Sequence, residues 1–101
     1  MSMNLHSPIS HTEVANKRGT IIHVGQQWCD NSPTRDPIRH FTIESIEETY
    51  GHHTAICRIT HGIDRATGVQ VLIDRVVNID IDRLHPIRTG YRRVTPEADP
   101  S

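Results

Sequence analysis

Aromatic side chains are scarce in this chain: one tryptophan, one phenylalanine and two tyrosines stand among 101 residues, of which 35% are apolar. So small a stock of bulky side chains fills one modest core and excludes a second independently stable unit. Cysteine is nearly missing as well, and Cys29 and Cys57 are too few for a disulfide framework. No apolar run is long enough for a signal peptide or a membrane span, so the expectation is a reduced, cytoplasmic protein. A charge excess is also missing. Eleven basic residues stand against twelve acidic ones, which argues against coating nucleic acid or an anionic membrane through overall charge. Ten of the eleven basic residues are arginine, Lys17 being the exception, a bias that points to a GC-rich coding sequence. No catalytic motif or cofactor fingerprint occurs. A non-enzymatic protein without a cofactor is expected.

Residues 1–16 mix His, Ser, Pro, Thr and Asn with little apolar periodicity, and residues 95–101 read TPEADPS. Neither end has the apolar content that would offset ordering entropy. Flexible tails are therefore expected over 1–17 and 96–101, around a folded unit spanning 18–95.

Within that unit the pattern is that of strands. Residues 20–24 (TIIHV) are β-branched, bracketed by Gly19 and Gly25, and lead into Trp28. Residues 29–37 (CDNSPTRDP) carry two prolines with Asp, Asn and Ser, the composition of a loop. Residues 38–50 (IRHFTIESIEETY) could start a helix at Asp36 and Pro37 and stop it at Gly51, but they lack an apolar stripe. Alternation of Phe41 and Ile43 around Thr42 favours a strand, with a bulge near Glu44 and Ser45 that returns Ile46 inward. After a turn at Gly51, residues 54–60 alternate Ala55, Cys57 and Ile59 against polar neighbours. A polar turn follows at residues 62–68. Residues 69–81 then place Val69, Val71, Ile73, Val77, Ile79 and Ile81 at odd positions, interrupted only by Arg75. An unpaired guanidinium on an apolar face is costly, so a bulge is expected to rotate Arg75 outward. Residues 90–94 (GYRRV) make a last strand. About five short antiparallel strands in so small a domain predict an all-β small barrel, which removes exposed edges.

The pattern G..W.DN.P.R...R.F.I from Gly25 to Ile43, followed by RL.P..TGYR.V from Arg83 to Val94, resembles short proteins of actinobacteria and their phages. These carry a Trp-Asp-Pro-Arg loop and a closing Gly-Tyr-Arg strand. The resemblance implies an SH3-like barrel and a possible bacteriophage origin, and it brings no catalytic residues with it.

Four constellations could carry chemistry. His52, His53, Cys57 and His61 suggest metal ligands, yet on a strand His53, Cys57 and His61 lie roughly 13 Å apart in successive pairs, so no metal is expected there. Glu44, Glu47 and Glu48 have no partner for acid and base work and read as a hydrated strand end. The basic run RLHPIRTGYRR supplies Arg83, Arg88, Arg92 and Arg93 beside Tyr91, a set that could grip phosphates and stack on a base. Trp28, Arg35, Arg39 and Tyr91 form the fourth set, around a loop held on a rigid sheet. The first expectation is a binding module for a protein partner through this fourth set. The alternatives are a nucleic-acid binder using the basic run and a His/Cys metal protein. Trp28 is expected to be partly buried, its ring against the core and one edge at the loop.

Overall fold

Residues 38–50 settle as strand rather than helix, and the rest of the architecture is built around them. The computed structural model describes residues 9–86 and 90–94. In chain order the strands are β1 (Ile9–His11), β2 (Glu13–Ala15), β3 (Ile21–His23), β4 (Gln27–Asp30), β5 (Ile38–Thr49), β6 (His52–Ile63), β7 (Gln70–Asp80) and β8 (Tyr91–Arg93). A 3-10 turn, Ile81–Arg83, follows β7. Six strands share one antiparallel sheet in the order β7-β6-β5-β4-β8, with β1 added beside β5, and β2 and β3 form a separate ribbon.

The long strand β5 organises this sheet. β6 pairs with it along its whole length, while its other edge is divided between β4, at residues 40–42, and β1, at residues 46–48. Glu44 is the extra residue between the Ile43–Cys57 and Ser45–Ile56 pairs. That bulge shifts the alternation by one, so Phe41, Ile43 and Ile46 all reach the core. Ala55, Cys57 and Ile59 on β6 and Ile79 on β7 meet them, as the period-2 pattern requires. Tyr50 and Gly51 close the β5–β6 hairpin as a two-residue turn in which both have positive φ, the twist that hairpins favour.

Three expectations need correction. The architecture is all-β, but eight strands form rather than five, and no barrel closes among the described residues, because β7 and β8 are not paired with each other. The ordered region also starts before Arg18. Residues 9–15 form β1 and β2, and Asn16 is buried where a tail was expected. Its side-chain amide donates to the carbonyls of Ile81 (2.8 Å) and Leu84 (3.0 Å), and its Oδ1 accepts from the backbone N–H groups of Arg18 and Thr20. This short segment is thus held by the Asn16 hydrogen bonds together with the packing of Val14 against the core, for which composition gives no signal. Residues 1–8 and 95–101 lie outside the described residues.

Arg75 is exposed for a different reason from the one expected. It pairs directly with buried Ile59 and so shares its face. The bulge of β7 comes on the other side of that pair, where two residues face Thr60 alone before the His61–Leu72 pair. β7 is an edge strand and its core face is open there, so the guanidinium stays in solvent without being rotated away.

Candidate functional site

The loop after β4 is pinned from below and from the side. Asp30 is buried, and its carboxylate accepts from the Arg39 backbone N–H at 2.9 Å, from Nε at 2.9 Å and from Nη2 at 3.0 Å. This two-pronged pair joins the end of β4 to the start of β5 across the loop and raises the Arg39 pKa, the hydrogen bonds to Asp30 being the main cause. On the other side Arg65, from the β6–β7 turn, donates through Nε to the Arg35 carbonyl and through Nη2 to the Ser32 carbonyl, both at 2.6 Å. Its backbone N–H also donates to Asp36 Oδ1. Residues 31–37 are therefore a fixed wall.

Opposite this wall stands β8. Tyr91 pairs with Asp30 across the β4–β8 ladder and packs edge-on against Phe41, with ring centroids 5.5 Å apart. The Arg83 guanidinium lies 5.8 Å from the Tyr91 ring centroid, within reach of its π face. Between wall and strand runs a cleft of about 410 Å³ whose lining includes Asp30, Thr34, Arg35, Arg83, Gly90 and Tyr91. A second hollow, of about 210 Å³, shares Arg35, Arg83 and Tyr91 with it and continues over Phe41, Ile59, Val77 and Ile79 toward β7. That hollow is the gap where the barrel stays open, with an apolar floor and an arginine rim.

The expected site residues are distributed unevenly over this geometry. Arg35, Arg39 and Tyr91 do come together, joined by Arg83 from the basic run. Arg39 is engaged by Asp30, whereas Arg35 is exposed and reaches the same carboxylate only at 3.8 Å. Trp28 is not at the surface. It is 0% exposed, and its indole N–H donates to Gln26 Oε1 at 3.0 Å within the core. Full burial replaces the partial burial expected, because β5 and β8 flank β4 on both sides and a neighbouring amide satisfies the indole without solvent. Arg92 and Arg93 are exposed on β8, at register positions opposite Cys29 and Trp28. Arg88 lies outside the described residues. Tyr91 is only 8% exposed and offers no free face for stacking a base.

His53, Cys57 and His61 lie in three different surroundings. Cys57 is a core residue whose thiol is pushed up to about 12, burial being the larger cause and the Glu44 carboxylate the smaller. His61 stacks on His40 at 4.5 Å, and His40 is shifted below its ordinary value by burial, then by His61 and Arg92. His53 instead lies against His11 and Glu48. Sequence reasoning missed Arg65 and Arg83 as parts of the loop site; only their placement in turns could have drawn attention to them.

No helix among the described residues is long and apolar enough to cross a membrane. Compared with known protein families, curated proteins and solved structures, the chain finds no match.

Proposed function

We propose that the protein is a non-enzymatic binding module that takes up an extended segment of a partner protein, apolar with acidic side chains, in the gap between β7 and the Arg35–Arg83 cleft. The observation that carries this reading is the combination of an apolar floor with an arginine rim in the unclosed seam of the sheet. Val71, Leu72 and Val76 add to it, since they leave exposed apolar side chains on an edge strand whose outer side is unpaired among the described residues, the surface on which an added strand gains both hydrogen bonds and burial. Arginines on the rim favour carboxylates there, because the guanidinium fork matches a carboxylate.

The strand order also supports an SH3-like reading of the fold. The meander β4–β7, a 3-10 turn and a last strand returning to β4 make the path of a small barrel left open at one seam. Together with the Gly25–Ile43 and Arg83–Val94 motifs, this favours a phage or actinobacterial accessory protein, working in the cytoplasm where its two buried cysteines stay free thiols.

Titration of isotope-labelled protein with a panel of extended peptides, acidic against basic, tests the reading. Amide shifts at Val77, Ile79, Gly90 and Tyr91 are expected with acidic peptides only, and their loss in the Arg35→Ala, Arg83→Ala double variant at unchanged melting temperature. Equal binding by that variant sinks the proposal. The nucleic-acid alternative predicts instead low-salt binding to oligonucleotides that weakens by nearly one logarithmic unit per phosphate contact for each decade of salt.

A further inference from the structure

We propose that His11, Glu48 and His53 form a binding site for a zinc-like divalent cation that ties β1 to the β5–β6 hairpin. Three adjacent strands deliver the donors. Glu48, on the central strand β5, has Ile9 of β1 as its register partner on one side and His53 of β6 on the other. Partners across a ladder share a face, and His11 follows Ile9 by two residues, so all three donors project from the same side of the sheet. Their side chains converge. His11 Nε2 lies 2.9 Å and His53 Nε2 lies 3.5 Å from the same oxygen, Glu48 Oε1, and one ligand atom from each residue falls within 4.8 Å of the others.

These separations suit the chemistry of zinc. Ligands about 2.0–2.1 Å from a tetrahedral ion stand roughly 3.4 Å apart, close to the two histidine–carboxylate spacings. Two imidazoles and one carboxylate are also a donor set that binds Zn²⁺ while leaving a fourth position for water. The three side chains are 31%, 28% and 26% exposed, so an ion can enter from solvent without unfolding. The imidazole rings lie 5.2 Å apart and tilted by 58°, not stacked flat on one another. A cation there would replace the His11–Glu48 hydrogen bond and a weak ring contact with coordinate bonds from both imidazoles and the carboxylate. The consequence would be structural, because β1 is only three residues long and, among the described residues, pairs with β5 alone. The site shares no residue with the arginine cleft and stands or falls independently of it.

The test uses metal-free full-length protein titrated with ZnCl₂ against a chromophoric chelator, with CoCl₂ as a spectroscopic probe. One equivalent of Zn²⁺ is expected to bind, with a rise in melting temperature and slower hydrogen exchange at the β1 amides. His11→Ala, His53→Ala and Glu48→Gln should each weaken binding by about tenfold or more and remove the thermal shift, whereas His40→Gln with His61→Gln should change neither. The cobalt spectrum should show nitrogen and oxygen ligation without a thiolate charge-transfer band. Stoichiometric binding that survives all three single variants, a thiolate band, or no binding below millimolar zinc would overturn the proposal. Metal-free melting curves of the variants separate lost ligation from lost folding. If a variant's metal-free melt is impaired, the exchange rates of the wild-type β1 amides with and without zinc decide the matter.

Discussion

Asp30 shows how differently two charged neighbours on one loop can weigh. At 5% exposure it accepts three hydrogen bonds from Arg39, so removing it leaves a half-buried guanidinium without its partner. Asp30→Ala should cost roughly 3 kcal/mol or more in chemical denaturation. Arg35→Ala should change stability by less than about 0.5 kcal/mol, because its contact is long and exposed. Cys57 makes a second residue-level prediction. Its thiol ionises at about 12 in the folded protein against 9.0 ordinarily. Between those values the unfolded chain has released a proton that the folded chain keeps, so this residue's contribution to stability is intact below pH 9 and falls as pH rises toward 12. Urea unfolding at a series of alkaline pH values should therefore show a steeper loss in the wild type than in Cys57→Ala, by up to about 1.4 kcal/mol per pH unit.

Among the elements, β5 and β6 matter most, and their irregularities matter as much as their alternation. Glu44 and Thr60 are the extra residues that bend the two strands and allow one continuous ladder to run beside both β4 and β1. Near the second bend, Gly62 pairs with Arg39 and Val71 and lets Pro37 and Ile73 approach its backbone. A methyl group there would meet Pro37 Cγ at 2.9 Å, Pro37 Cβ at 3.0 Å and Ile73 Cδ1 at 3.1 Å. Proline cannot swing aside as a long flexible side chain would. Gly62→Ala is expected to destabilise by about 1–3 kcal/mol in a thermal or urea melt, with the loop of residues 31–37 loosened through Pro37.

For the molecule as a whole, the decisive feature is the seam left between β7 and β8. A closed sheet would satisfy the outer backbone groups of β7. Here Leu72 is 82% exposed and Val71 and Val76 are also in solvent, a patch of the kind that marks an interaction surface. If a partner strand covers it, Leu72→Lys combined with Val76→Lys should abolish binding of the acidic peptides in the labelled-protein titration. Stability should shift by less than about 1 kcal/mol, since neither side chain is buried. Unchanged peptide affinity would place the partner away from this edge.

How much of this was legible beforehand depends on the range of the interaction concerned. Alternation is a property of neighbours in sequence, so the strand character of residues 38–50, the bulge at Glu44 and the inward set of Ala55, Cys57 and Ile59 could be read directly. The Glu48–His53 pairing across the turn at Tyr50 and Gly51 follows from the same hairpin, although the two residues read as parts of separate clusters. Pairings between distant segments were a different matter. β1 lies against residues 46–48, Asn16 clasps a turn 65 residues away, and Arg65 and Arg83 join a loop they are far from in sequence. No local pattern encodes such register, because each of these contacts exists only once the long strand has chosen its neighbours on both edges. The same holds for Trp28. Its apolar ring and loop-side position suggested a half-exposed anchor, and burial between flanking strands, with Gln26 at its indole N–H, was decided by the tertiary structure.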